Sequence, residues 1–145
     1  MTTLYEGAYA KVNLTLDVLG KRPDGYHDIK SVMQTISLRD DVEIDVGTGK
    51  PWCLKCDAEG VPEDERNLAW KAAKVYCDAM NKDPDGLEIR ITKRIPSQAG
   101  LGGGSADAAA VLGSSGAGRY ARWGDFTGLG SAMGLWWTRG GAWTG

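Results

Sequence analysis

The stretch PSQAGLGGGSADAAA, Pro96–Ala110, sets Gly100, Gly102, Gly103 and Gly104 within five positions and then turns at once into helix-forming residues. Glycine carries no Cβ, so an anion can approach the backbone amides closely. The first N–H groups of a helix have no partner inside it, and the helix dipole is positive at that end. Bare backbone directly before a helix therefore suits the cradling of a phosphate. Ser105, where the helix is predicted to begin, can cap it or touch an anion or a metal. Two common phosphate motifs fail. A Walker loop needs Gly-Lys-Ser/Thr, but Gly104 is followed by Ser105-Ala106-Asp107 with no Lys. The dinucleotide fingerprint needs a third Gly where this chain has Ser105. The rival is a flexible Gly-rich linker, but linkers seldom sit so tightly between a strand and a helix.

Other residues could take part in chemistry, and each has a plainer reading beside it. Lys11 and Asn13, two apart in AYAKVNLTLDVLGKR, share one strand face about 7 Å apart. A solvated Lys on an exposed face accounts for Lys11 equally well. Tyr26 and the single histidine, His27, follow a turn in RPDGYH; a core Tyr and a neutral turn His are the alternatives. Asp107 falls in the first turn of the predicted helix, where a partner for the dipole is the simplest role. Cys53 and Cys56 form C-x-x-C, but with no second pair and one His a zinc site lacks ligands, which leaves plain thiols. Met33 and Met80 read as core fillers.

These residues need elements to hold them. Ala10, Val12, Leu14, Leu16 and Val18 alternate with polar residues, which predicts a strand with one buried face. IKSVMQTISLRDDVEIDV predicts two further strands with a break at Arg39-Asp40-Asp41. PEDERNLAWKAAKVYCDAMN predicts a helix with Leu68, Ala72, Val75, Tyr76 and Ala79 in one stripe and Glu63, Asp64 and Glu65 ahead of it. LEIRIT alternates again, with Leu87, Ile89 and Ile91 inward, and leads into the Gly loop. Strands and helices mix without the regular alternation of a doubly wound parallel sheet, which predicts an α+β fold.

A chain of 145 residues suffices for one domain with a sizeable core. The formal charge of −2, with no basic stripe, excludes neither solubility nor a small-molecule partner but argues against nucleic acid and membrane surfaces. No apolar run approaches the roughly 20 residues of a bilayer span. The N-terminus MTTLYEGAYAKVNL lacks the basic and apolar regions of a signal peptide. Three cysteines, an odd number, fit reduced thiols in a cytoplasm better than a disulfide framework. Residues 113–145 differ from the rest: ten of the chain's 21 Gly and four of its 6 Trp fall there, without Lys, Glu, Val or Ile. Gly, Trp and Arg share G-rich codons, so this segment reads as a frameshifted or disordered tail without packed structure.

The Gly loop, with AKVNLTLDVLGKRPDGYHDIKSVMQ and ERNLAWKAA, resembles the GHMP kinases (galacto-, homoserine, mevalonate and phosphomevalonate kinases) over residues 5 to about 112. The triple-Gly form and the A-K-V-N-L and R-P-D-G-Y-H segments are similar to the member that serves the non-mevalonate route to isoprenoids. The resemblance implies a truncated GHMP kinase N-terminal domain (ribosomal protein S5 domain 2-like) over 1–112 and an unrelated tail over 113–145. It implies a cytoplasmic kinase that moves the γ-phosphate of ATP to the 2-hydroxyl of a cytidine diphosphate-linked methylerythritol. ATP and Mg²⁺ are the implied cofactors. Pro96, Ser97, Gln98, Ala99, Gly100, Leu101, Gly102, Gly103, Gly104, Ser105 and Ala106 would wrap the triphosphate, with Asn67 and Leu68 near the adenine. Lys11 matches a catalytic lysine, Asn13 a substrate contact, and Tyr26 and His27 a cytosine-holding pair. No metal ligand is assigned; Mg²⁺ would come with ATP, near Ser105. The family's general base lies in a G-[SA]-D-V-P-F-like segment, and no such segment occurs in this sequence. The resemblance therefore implies a fragment with little or no activity. The alternatives are a non-catalytic nucleotide-binding fragment and another GHMP-type small-molecule kinase. Uncovered sheet edges and one bare helix face predict marginal stability.

Overall fold

A computed structural model describes residues 1–114, 136–138 and 142–144. Two long strands, β1 (Thr2–Lys21) and β2 (His27–Val46), form an antiparallel ribbon. A short strand, β3 (Cys53–Cys56), precedes helix α1 (Leu68–Ala79); strand β4 (Leu87–Thr92) leads through the Gly loop into helix α2 (Gly103–Ser114). The sheet order is β1-β2-β4-β3, with β4 antiparallel to β2 and parallel to β3. Beyond α2, β5 (Trp136–Thr138) and β6 (Ala142–Thr144) pair antiparallel in a separate sheet. The rest of the Gly/Trp-rich segment, and with it most of the predicted tail, lies outside the described residues.

Both helices cover one face of the four-stranded sheet. Ala8, Val42, Ile44, Leu54, Ile89 and Ile91 point up from the strands into Ala69, Ala72, Ala73, Ala108, Val111 and Leu112 of the helices. Small alanine faces let the helices approach each other closely. The mixture of an antiparallel ribbon with one parallel crossover is the predicted α+β architecture.

Several local expectations need correction. The predicted break at Arg39-Asp40-Asp41 is absent, and β2 runs unbroken for 20 residues. Its charges become cross-links instead. Asp40 is fully buried and accepts from the Arg94 and Ile95 N–H groups at 2.6 and 2.8 Å, while Asp41 pairs with Arg94 and Arg39. The inward face predicted for β1 holds at Ala10, with Ala8 buried before it, is half-buried at Val12, and fails at Leu14, Leu16 and Val18, which are more than half exposed. The cause is length: β4 pairs only with Asp41–Val46, so the far half of the ribbon runs past the sheet and its helices. The buried stripe of α1 is Ala69, Ala72, Ala73 and Cys77, rotated from the predicted one; Leu68 and Tyr76 flank it, and Ala79 is exposed. Glu63 and Asp64 do not serve the helix dipole. Glu63 accepts from the Cys56 N–H at 2.7 Å, and Asp64 grips Arg66. Met80 is exposed rather than core.

The strand β3 carries the C-x-x-C pair, which the sequence pattern left unplaced. Residues three apart on a strand point to opposite faces, so Cys53 and Cys56 do not converge. Leu54 between them is the buried anchor.

The burial contrast sets an expected stability difference. Ile89→Ala should cost about 2–5 kcal/mol by the cavity it leaves, while Leu16→Ala on the free ribbon should cost no more than about 0.5 kcal/mol. Urea unfolding of both variants checks this; equal losses would contradict the described core.

Candidate functional site

The Gly loop leaves β4, meets the middle of β1 at Lys11 and enters α2. The helix begins at Gly103, not near Ser105. The Gly102 carbonyl accepts from the Ala106 N–H at 2.9 Å, so Ser105 sits inside the first turn and is not its cap. The first amides of α2 have no partner within the helix.

The glycines divide into two uses. Gly100 and Gly102 adopt φ of +73° and +72°, a left-handed conformation that favours glycine, and a Cβ on Gly100 would meet open space. Gly102, Gly103 and Gly104 let the backbone settle onto the protein. A Cβ at Gly102 would lie 3.3 Å from Lys11 Cε. At Gly103 it would press on Ile95 Cγ2 at 3.0 Å and Lys93 Nζ at 3.1 Å, and at Gly104 it would touch Leu68 Cδ1 at 3.7 Å. A branched residue at Gly103 would thus disturb the packing beneath the loop rather than the approach of a phosphate from outside. Pro96, Ser97, Gln98 and Ala99 are exposed on the outer run of the loop, Leu101 is half-buried, and Ala106 packs against the core. Gln98 also has positive φ, 60°.

Lys11 meets the loop directly. Its backbone N–H donates to the Leu101 carbonyl at 3.0 Å, and its ammonium donates to the Gly100 carbonyl at 2.8 Å and to Asn13 Oδ1 at 2.7 Å. Asn13 Nδ2 in turn donates to Ser31 Oγ at 2.7 Å, and Ser31 donates to the Thr15 carbonyl at 2.6 Å. The structure therefore brings Lys11, Asn13 and the loop together. Ser31, which orients Asn13, carried no signal in the sequence, since it lies 18 residues away on β2.

The other predicted residues are placed differently. Leu68 lies against Gly104, beside the loop. Asn67 is spent on structure: its Oδ1 accepts from the Ala69 N–H at 2.9 Å as the cap of α1, and its Nδ2 donates to the Pro62 carbonyl at 2.9 Å. Tyr26 and His27 sit exposed at the tip of the ribbon, where His27 faces Lys21, whereas Lys11 faces Thr35. The structure does not bring this pair to the loop. Two register shifts along the ribbon, at Asn13/Thr15 and Val18/Gly20, bend its course between the two places.

Beneath the loop lies a cluster that sequence reasoning missed. Lys93, directly after β4, donates to Asp40 Oδ2 at 2.5 Å and to Asp107 Oδ2 at 3.0 Å. All three side chains are more than nine-tenths buried. The sequence suggests Asp107 as a partner of the helix dipole; its carboxylate instead points inward, and its Oδ1 has no hydrogen-bond partner. Burial, seconded by the neighbouring Asp40, pushes the Asp107 carboxyl up to about 7, against the pull of Lys93. Asp40 moves the other way. Burial opposes its charge, but the Ile95 N–H, the Lys93 ammonium and the Arg94 N–H together hold it below the usual carboxylate range. Burial likewise works against the Lys93 charge, and the two carboxylates outweigh it and raise its pKa.

Comparison with known proteins fits this geometry. Residues 67–117 match the family described as the GHMP kinases N terminal domain. The fold is shared with a homoserine kinase from Cytophaga hutchinsonii, at 20% identity and a TM-score of 0.67 over 92% of this chain and 41% of that one. The chain carries the N-terminal domain of the GHMP kinase family. Within that family it is similar to 4-diphosphocytidyl-2-C-methyl-D-erythritol kinases. Over 105 residues it is 55% identical to the enzyme of that name from Clostridium botulinum (strain Langeland) and 52% identical to that of Geobacter sulfurreducens. Each alignment covers 72% of this chain and 37% of the relative. The crystal structure of a 4-(cytidine 5'-diphospho)-2C-methyl-D-erythritol kinase superposes with a TM-score of 0.69 at 36% identity, covering 90% of this chain and 46% of that one. The chain thus spans little more than a third of the length of the curated relatives it matches.

The buried carboxyl gives stability a definite pH dependence. Asp107 has a folded pKa above the ordinary value of about 3.9. Its contribution is complete below about pH 4 and is lost as pH rises through about 7. Asp64, held at about 2 by Arg66, titrates below that window. The urea midpoint should fall between pH 4 and 7, and Asp107→Asn, which stays neutral, should flatten the fall. A parent and variant with parallel pH profiles would contradict the assignment.

Proposed function

We propose that this chain is the nucleotide-binding N-terminal part of an ATP-dependent kinase of non-mevalonate isoprenoid biosynthesis. The kinase phosphorylates the 2-hydroxyl of 4-diphosphocytidyl-2-C-methyl-D-erythritol in the cytoplasm. The observation that carries this reading is the seating of the Lys11 ammonium on the Gly100 carbonyl, at the edge of a glycine loop that opens a helix. The identities of 55% and 52% to kinases named for that substrate support the choice of acceptor. Among the described residues no helix is long and apolar enough to cross a membrane. The domain reading takes 1–112 as the kinase part and 113–145 as a tail, although α2 runs two residues past that boundary, to Ser114.

The residues present fit a nucleotide triphosphate. A Cβ-free turn at Gly100, the free amides of the first turn of α2 and one ammonium all favour anionic oxygens. ATP would supply the phosphoryl group, and Mg²⁺ would neutralise charge on it. The loop Pro96–Ala106 would hold the phosphates through backbone N–H groups, and Ser105 in the first turn would offer its hydroxyl. Lys11 would stabilise negative charge on the transferred group, with Asn13 fixing the ammonium and facing the acceptor. Among the described residues no cluster of three or more acidic, Cys or His side chains could hold a metal, so Mg²⁺ would arrive on the phosphates. Leu68 would pack near the adenine, with Asn67 holding the start of α1 in place. Tyr26 and His27 would hold the cytosine at the far end of an extended substrate.

A second reading, nucleotide binding without turnover, is favoured for these 145 residues because they contain no G-[SA]-D-V-P-F-like segment to supply a general base.

Calorimetric titration of the chain with ATP, with and without Mg²⁺, tests the reading. Binding should require the loop, and Lys11→Met should weaken it about 10- to 100-fold, as expected for a lost charge-assisted hydrogen bond of about 1.5–3 kcal/mol. A folded chain that binds no ATP would overturn the proposal.

A further inference from the structure

Besides the Lys11 hydrogen bonds to the Gly100 and Leu101 carbonyls, the glycine loop has a second hold, away from the outer side where Pro96–Gly100 are exposed. It is beneath. Lys93 stands where the chain leaves β4, and Asp107 stands where it has completed the first turn of α2. The whole loop, residues 94–106, runs between them. The 3.0 Å contact of Lys93 Nζ with Asp107 Oδ2 therefore closes the base of the loop. Asp40 fixes this closure to the sheet, through Lys93 at 2.5 Å and the backbone N–H groups of Arg94 and Ile95. Gly103, the first residue of α2, rests on the same ammonium, close enough that a Cβ would lie 3.1 Å from Nζ. Side-chain exposures of 8%, 0% and 5% for Lys93, Asp40 and Asp107 leave none of them able to reach a ligand.

We propose that Lys93, acting through Asp107, is a positioning residue for the phosphate loop: the buried bridge sets where the first amides of α2 meet an incoming phosphate. The functional half of this inference rests on the nucleotide-binding reading above, and the mechanical half stands on the geometry alone. A buried ion pair usually contributes little net stability, but it fixes one arrangement among several. Here the arrangement fixed is the angle between β4 and α2, on which the direction of the helix amides depends.

Asp107→Ala removes the helix-side anchor, leaves Lys93 neutralised by Asp40, and keeps a good helix former in an alanine-rich turn. Asp107→Asn keeps an acceptor for Lys93 and serves as the rescue. Amide hydrogen exchange of the ligand-free chain is the first readout. In Asp107→Ala the hydrogen-bonded amides at the loop, Lys11 N–H on the Leu101 carbonyl and Ala106 N–H on the Gly102 carbonyl, should exchange about tenfold faster, while those of Val42–Ile44 and Ile89–Ile91 keep the parent rate. Asp107→Asn should restore the parent rate in the loop. The second readout is the affinity for ATP with Mg²⁺ and for adenosine. Asp107→Ala should weaken ATP about tenfold and leave adenosine unchanged, because only the phosphates meet the displaced amides. Unchanged loop exchange, or equal acceleration of loop and core, would overturn the positioning role. Loosened loop amides in Asp107→Ala together with no ATP binding by the parent would leave the positioning intact and overturn the nucleotide reading instead.

Discussion

One buried ammonium joins three separate parts of this molecule. Lys93 is held between Asp40 from the middle of β2 and Asp107 from the first turn of α2, and it follows directly on β4. A charge this deep persists only when it is paired and its partners are hydrogen-bonded. Asp40 meets that condition with two backbone N–H groups besides Lys93. Asp107 meets it only in part, with one oxygen left over, and its carboxyl accordingly holds its proton to about pH 7. Two carboxylates facing one ammonium divide into one charged and one largely neutral partner, the usual outcome when like groups share a buried site. Removing Asp40, the charged partner, would leave the Lys93 charge uncompensated, at a cost of about 3–5 kcal/mol. The placement of α2 over the sheet, and so of the loop before it, follows from this bridge.

The glycine loop faces two directions. On its inner side the glycines let backbone sink onto Lys11, Ile95, Lys93 and Leu68. On its outer side Gly100 faces open space, and the Lys11 ammonium reaches over the edge to the Gly100 carbonyl. The same run of small residues therefore provides both a tight fit below and a bare surface above. These two demands explain four glycines within five positions better than either does alone.

The ribbon of β1 and β2 extends well past β4, and its far half exposes Leu14, Leu16, Val18 and Val32. Lys11 and Asn13 stand where the ribbon leaves the helices, and Tyr26 and His27 at its tip. The curated relatives are far longer than this chain, which spans about 37% of their length. Exposed apolar side chains on this half of the ribbon are consistent with a fold that continues in those longer proteins.

The alternation of β1, the helical pattern of α1 and the strand–glycine–helix order were legible because they are local: period, caps and bare backbone act over a few residues. They sufficed to find the glycine loop between a strand and a helix, to put Lys11 and Asn13 on one strand face, and to give the α+β class. The sequence could not reveal that Asp40 belongs inside a continuous strand, because its partners lie more than 50 residues away. An Asp-rich segment reads as a break until a buried Lys is known to meet it. Nor could it show that β1 loses its inner face beyond Val12, since burial depends on where β4 ends. The same holds for Asn67, whose polar atoms the tertiary structure commits to capping α1, and for Asp107, turned from the solvent side of a helix to its interior. Sequence alone determined which backbone is bare of side chains where a helix begins; the tertiary structure decided what holds that backbone in place, because a buried ion pair exists only once distant segments exclude water together.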